Sequence, residues 1–194
     1  MNVSSNRMKL LLFVFVLLAC TGAELRKVRI KEIGWTFSVP PNLHIKDSAF
    51  DRNGNIKPDA WEVPNPSFPQ QRVSLVSIES SRNNYFNSIV YIDSSDLNDW
   101  KKKTIEETRF YIEKIGELPN YKLLDTTITT ELIDGVGFQK EYFKLYNSKN
   151  NITTQSYKYS RRYKNYSINY NIRFIDTMVG KQYLQVLKTS SFDR

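Results

Sequence analysis

QSYKYSRRYKNYSINYNIRF, Gln155 to Phe174, decides the fold. Two runs of alternating residues, Gln155 to Tyr163 and Tyr166 to Phe174, flank the turn residues Lys164-Asn165 and read as a β-hairpin. With a two-residue turn, position i faces position 329 − i. Tyr163 then meets Tyr166, Tyr159 meets Tyr170, and Tyr157 meets Ile172 on one face of the ribbon. The opposite face carries Lys158, Ser160, Arg162, Ser167, Asn169, Asn171 and Arg173. The aromatic face is expected to be core and the polar face a wet, basic platform. Arg161, opposite Ile168, interrupts the aromatic face and is expected at its margin.

Upstream, Tyr121 to Ile133 and Val136 to Tyr146 are strands joined by a tight turn at Asp134-Gly135, and Ser148 to Asn151 makes a polar turn. Four antiparallel strands therefore run in succession. Aromatics on both faces of Val136 to Tyr146 leave its register with the Tyr-rich hairpin open. Asp176 caps a closing helix to about Lys188, with Tyr183, Val186 and Leu187 inward, followed by a short end strand, Ser190 to Phe192. Ser95 or Asp96 caps an earlier helix to about Gly116, with Leu97, Trp100, Thr104, Thr108, Tyr111, Ile112 and Ile115 on one face. Lys101-Lys102-Lys103 falls on its solvated side.

The first third is more irregular. Arg29 to Ile33 and Trp35 to Val39 read as strand closed by Pro40-Pro41, and Asn42 to Lys46 continues it. Asp47 to Gln71, rich in Asn, Asp, Pro and Gly, reads as a long loop. Arg72 to Glu79 shifts its apolar phase between Leu75 and Val76, which points to a bulged strand, and Ile89, Val90 and Ile92 mark the next.

The chain opens with Arg7 and Lys9, ten apolar residues from Leu10 to Ala19, and then Cys20, the single cysteine. Ten apolar residues are too few to span a bilayer and fit a cleaved export signal. Leu17-Leu18-Ala19-Cys20 resembles a bacterial lipobox, which implies a lipid on Cys20. The expected division is a lipoprotein signal peptide at 1–19, a lipidated cysteine and tether at 20–27, and a single domain at 28–194. No internal disulfide is possible with one cysteine. Thr21 after the cysteine suits outer-membrane sorting, so the expected location is the bacterial cell envelope, lipid-anchored, in the outer membrane.

Charge is concentrated. Seven basic residues and no acidic one lie between Tyr142 and Ile175: Lys144, Lys149, Lys158, Arg161, Arg162, Lys164 and Arg173. Basic residues among aromatics ordinarily suggest nucleic acid, but an exported chain with inward-facing tyrosines argues against it. The expected partners are the membrane through the anchor, and an acidic envelope protein, glycan or lipid headgroup, met by Lys158, Arg162 and Arg173.

Chemistry for catalysis is sparse. His44 is the only histidine, and the chain has no Gly-x-Ser-x-Gly elbow, zinc-ligand cluster or phosphate-binding glycine loop. The expectation is a protein that is not an enzyme and has no cofactor. Asp51, Asn53, Asn55, Asp59 and Glu62 occupy calcium-loop positions 1, 3, 5, 9 and 12, but Ile56 stands where such a loop needs glycine, so an Asx turn is the competing reading. A second functional reading makes Asp47–Gln71 a lid over an apolar small-ligand or lipid cleft lined by Trp61 and Phe68.

The order strand, long loop, two strands, helix, four antiparallel strands, helix resembles the PsbP-like family. The likeness rests on Trp35-Thr36-Phe37-Ser38-Val39-Pro40, Leu118-Pro119-Asn120-Tyr121, Ile133-Asp134-Gly135 and Ser191-Phe192, and covers about Ile33 to Phe192. It implies an α+β fold with a single antiparallel sheet flanked by helices, in a family of mostly non-catalytic binding or assembly factors.

Overall fold

The computed structural model describes residues 25–62 and 70–193. The Tyr-rich hairpin forms as β8 (Ile152–Tyr163) and β9 (Tyr166–Phe174), and every pair from Gln155↔Phe174 to Tyr163↔Tyr166 follows the 329 − i register. Lys164 takes a left-handed φ of 55° at the turn. Before it, β6 (Tyr121–Ile133) and β7 (Val136–Asn147) form a longer hairpin. Asp134 at φ 52° and Gly135 at φ 71° give the type I′ geometry that matches strand twist.

These four strands form half of a seven-stranded antiparallel sheet. The other half is β3 (Ile45–Ser48), β4 (Arg72–Ser81) and β5 (Asn84–Ile92), and the order is β3-β4-β5-β9-β8-β7-β6. The phase shift in β4 is a bulge between Ser74 and Val76, which keeps Val73, Leu75, Val76 and Ile78 all buried.

The expected single sheet is corrected to two. β1 (Arg26–Ile30), β2 (Trp35–Val39) and β10 (Ser191–Phe192) form a separate three-stranded sheet, order β1-β2-β10. Pro40 and Pro41 follow β2 and lack N–H groups, so pairing stops there and the chain turns, with Leu43 N–H donating to Pro40 O. β2 then packs face to face on the large sheet, Trp35 lying edge-on to Tyr170 at 4.8 Å and stacked on Phe37 at 4.1 Å. The first strand also starts earlier than expected, at Arg26 inside the proposed tether, and Lys31 to Gly34 is a turn rather than strand. Asn42 to Lys46 does not prolong β2; its last residues enter β3 in the other sheet.

Helix α2 (Thr177–Lys188) closes the core on the same side, burying Gly180, Tyr183, Val186 and Leu187. Asp176 caps it, accepting from Met178 and Val179 N–H. Arg161, expected at the margin, is 2% exposed. Its guanidinium sits 4.7 Å from the Phe192 ring and 4.8 Å from the Tyr163 ring, and donates to Ile33 O at 3.1 Å. Ring faces on either side offset the desolvation that would otherwise expel it, and burial holds its pKa below the ordinary arginine value.

A candidate ligand cleft between helix and sheet

Helix α1 (Leu97–Gly116) crosses the polar face of the large sheet, so the expected wet basic platform is instead half-roofed. Asp96 starts the helix, accepting from Asn98 and Asp99 N–H. Both helix ends are pinned. Near the start, Trp100 Nε1 donates to buried Ser167 Oγ on β9 at 2.8 Å. At the far end, Ile115 packs with Phe143 and Leu145 of β7. Between the pins, the sheet-facing residues are the short Thr104 and Thr108, whose hydroxyls donate back to the carbonyls of Trp100 and Thr104. Short side chains between two tight contacts leave a gap beneath the helix.

That gap is a cleft of about 420 Å³. Its roof includes Glu107, Thr108 and Tyr111; its floor includes Asn87, Glu141, Lys158, Asn171 and Arg173. Glu141 is buried, and its Oε1 accepts from Gln139 Nε2 at 3.0 Å and from Lys158 Nζ at 3.4 Å. Asn171 Nδ2 donates to Asn87 Oδ1 at 3.0 Å. Arg173 Nε is buried with no hydrogen-bond partner among the described residues. A buried guanidinium N–H without an acceptor is costly, and an acceptor entering from solvent would relieve that cost. Burial raises the Tyr111 pKa, an effect that nearby Arg173 partly offsets. The cleft thus combines cationic donors with one fixed carboxylate and aromatic walls.

The three expected partner-binding residues divide. Lys158 and Arg173 line the cleft together, whereas Arg162 holds the loop entering α1. Arg162 donates to Ser95 Oγ, Asp96 O and Asp93 O, each at 3.3 Å. Sequence reasoning missed Glu141, Asn87, Glu107 and Tyr111. The available signal was the helix face itself, where Thr104 and Thr108 sit at the centre and match a polar rather than an oily floor.

The other candidates lie elsewhere. Trp61 is half-buried and stacks on Tyr166 with centroids 6.2 Å apart, while Phe68 and Cys20 lie outside the described residues. Among the described residues, none lining the cleft comes from the 47–71 segment. Asp51 forms an Asx turn, accepting from Asn53 and Asn55 N–H at 2.8 and 2.9 Å, and the Asn55 bond foremost holds its carboxyl below the ordinary range. Glu62 turns away to pair with Arg72 at 2.7 Å. No three His, Cys, Asp or Glu residues gather at metal-binding distances among the described residues. His44 is exposed.

No family model matches the chain, and no curated protein matches it in sequence. Solved structures do. The cyanobacterial PsbP (CyanoP) of Synechocystis sp. PCC 6803 superposes with a TM-score of 0.54 at 13% identity, over 90% of this chain and 97% of that one. LpqN, involved in cell envelope biogenesis of Mycobacterium tuberculosis, gives 0.40 at 11% identity over 93% and 97% of the two chains. PA94 of Pseudomonas aeruginosa, of unknown function, gives 0.31 at 12% over 85% and 96%. The latter two scores are too low to argue from. The first agrees with the order of elements built above, and the chain has a PsbP-like α+β fold.

Proposed function

We propose that the protein is a non-catalytic binding or assembly factor of the bacterial cell envelope, held by a lipid on Cys20, and that it recognises an acidic group in the cleft under α1. The observation carrying this reading is that Arg173 and Lys158 line the cleft floor together, with Arg173 Nε buried and without a hydrogen-bond partner among the described residues. The cleft supports entry of a compact acidic group, from an envelope protein, glycan or lipid headgroup, better than docking of a broad surface. Glu141, fixed by Lys158, would reject a ligand bearing negative charge along its whole length.

The test is crosslinking in the native cell followed by mass spectrometry of what is recovered. Arg173→Met with Lys158→Met should abolish recovery of the bound component while thermal melting stays cooperative. Lys101→Glu with Lys102→Glu, on the exposed side of α1, should leave recovery unchanged. Equal recovery from the double methionine variant and the wild type would refute the site.

A further inference from the structure

The large sheet has two edges, and they are treated differently. At one edge, β3 is four residues long, carries Lys46 and breaks register between Ile45 and Asp47, all devices that discourage further pairing. At the other, β6 is thirteen residues long and pairs only with β7 among the described residues. From Leu123 to Ile133 it contains no lysine and no proline.

The free stretch reads Leu124-Asp125-Thr126-Thr127-Ile128-Thr129-Thr130-Glu131-Leu132, which is symmetric in residue character about Ile128. The type I′ turn makes Ile133 and Val136 a mutually hydrogen-bonded pair, so odd-numbered residues from Asp125 onward bond to β7. The even-numbered residues Thr126, Ile128, Thr130 and Leu132 therefore aim their N–H and C=O groups at the open edge. Leu124, Ile128 and Leu132 are 45%, 39% and 72% exposed.

We infer that this edge pairs with the same edge of a second copy, antiparallel about a two-fold axis at Ile128. Position i then meets position 256 − i: Ile128 meets itself, Thr126 meets Thr130, Thr127 meets Thr129 and Leu124 meets Leu132. This register matches like side chains and also sets outward-facing backbone groups against one another. Asp125 meets Glu131, but Glu131 is already bound by Lys140 at 2.8 Å and Lys188 at 3.0 Å, and Asp125 lies cross-strand from Lys144. The symmetry of the strand is what selects a second copy over an unrelated extended peptide. An axis perpendicular to the sheet places both three-stranded sheets, and so both copies of β1, on one face, which suits the proposed pair of lipid anchors in one bilayer.

The test is cysteine crosslinking of the full chain in membranes. Ile128→Cys should form a covalent dimer on mild oxidation, well above the background set by the unsubstituted chain and by Met178→Cys, whose site is 78% exposed on α2. Thr126→Cys and Thr130→Cys should crosslink when co-expressed and not singly. Sedimentation in detergent should show a dimer that Ile128→Lys converts to half the mass. A wild-type monomer at micromolar concentration, crosslinking no stronger at residue 128 than at 178, or capture of a different protein by the Ile128→Cys variant would overturn the inference.

Discussion

Gly180→Ala puts the seat of helix α2 to a quantitative test. Gly180 is buried, and a Cβ there would lie 2.5 Å from both Cδ atoms of Phe174. That ring is buried and stacked on Tyr157 at 6.1 Å and 19°, so it has nowhere simple to go. Alanine favours the helix over glycine by about 1 kcal/mol. Overpacking a close-packed core costs about 1–3 kcal/mol, and overlap with the near end of a pinned ring belongs at about 3 kcal/mol. The clash wins, leaving a net loss of about 2 kcal/mol. For a domain of this size the loss lowers Tm by about 4–8 °C. Gly116→Ala at the end of α1 is the matched control, because nothing lies within 4 Å of its Cβ position. It should hold or raise Tm by a few degrees. Differential scanning calorimetry on both variants decides the matter. A Gly180→Ala protein as stable as the wild type would refute the argument, because the helix would then sit loosely over Phe174.

Other consequences are measurable. Trp100→Phe removes the donor to Ser167 Oγ and leaves a buried hydroxyl unpaired, so unfolding free energy should fall by about 1–3 kcal/mol in urea titration. Arg162→Gln releases the 93–96 loop, and amide exchange there and in the first turn of α1 should quicken while the core strands stay protected. Burial pushes the Glu131 pKa up, but Lys140 and Lys188 outweigh it and hold the carboxyl below its ordinary value near 4.5. A carboxylate with a depressed folded pKa contributes stability above the unfolded value and loses it as pH falls through the folded one. The stability gap between wild type and Glu131→Gln should therefore be constant above about pH 5.5 and close progressively below the ordinary glutamate pKa; a gap independent of pH would show that the two lysines add nothing.

Much of the architecture is legible in the sequence, wherever the determining interactions are local. The Lys164-Asn165 turn and the alternation around it give the β8/β9 register residue by residue. Asp134-Gly135 predicts the β6/β7 turn, Asp176 marks a helix start that its side chain caps, and of the two candidates Ser95 and Asp96 it is Asp96 that caps α1. The apolar phase shift predicts the β4 bulge. What is not legible is which surface covers which. Alternation shows that Lys158, Asn171 and Arg173 share a face, but α1 lies over that face through contacts such as Trp100 to Ser167, sixty-seven residues apart. Arg161 illustrates the same limit. Its charge argues for the margin, and only the convergence of Phe138, Tyr163 and Phe192 from distant segments makes an interior berth tolerable. The division into two sheets was partly visible in Pro40-Pro41, which ends a strand without saying where the chain goes next.

The placement of β5 beside β9 has a consequence for the order of assembly. Strands β6 to β9 are sequential neighbours and can zip up with short loops to close. Strands β3, β4 and β5 also follow one another, yet the second side of β5 must wait for β9, with residues 93–165 made in between. In a chain synthesised from its N-terminus, Phe86 and Val90 on that strand stay without their Ile172 and Ile168 neighbours until the sheet is almost complete. That interval is when the nascent chain is most prone to misassociation, and when a holding chaperone would matter most.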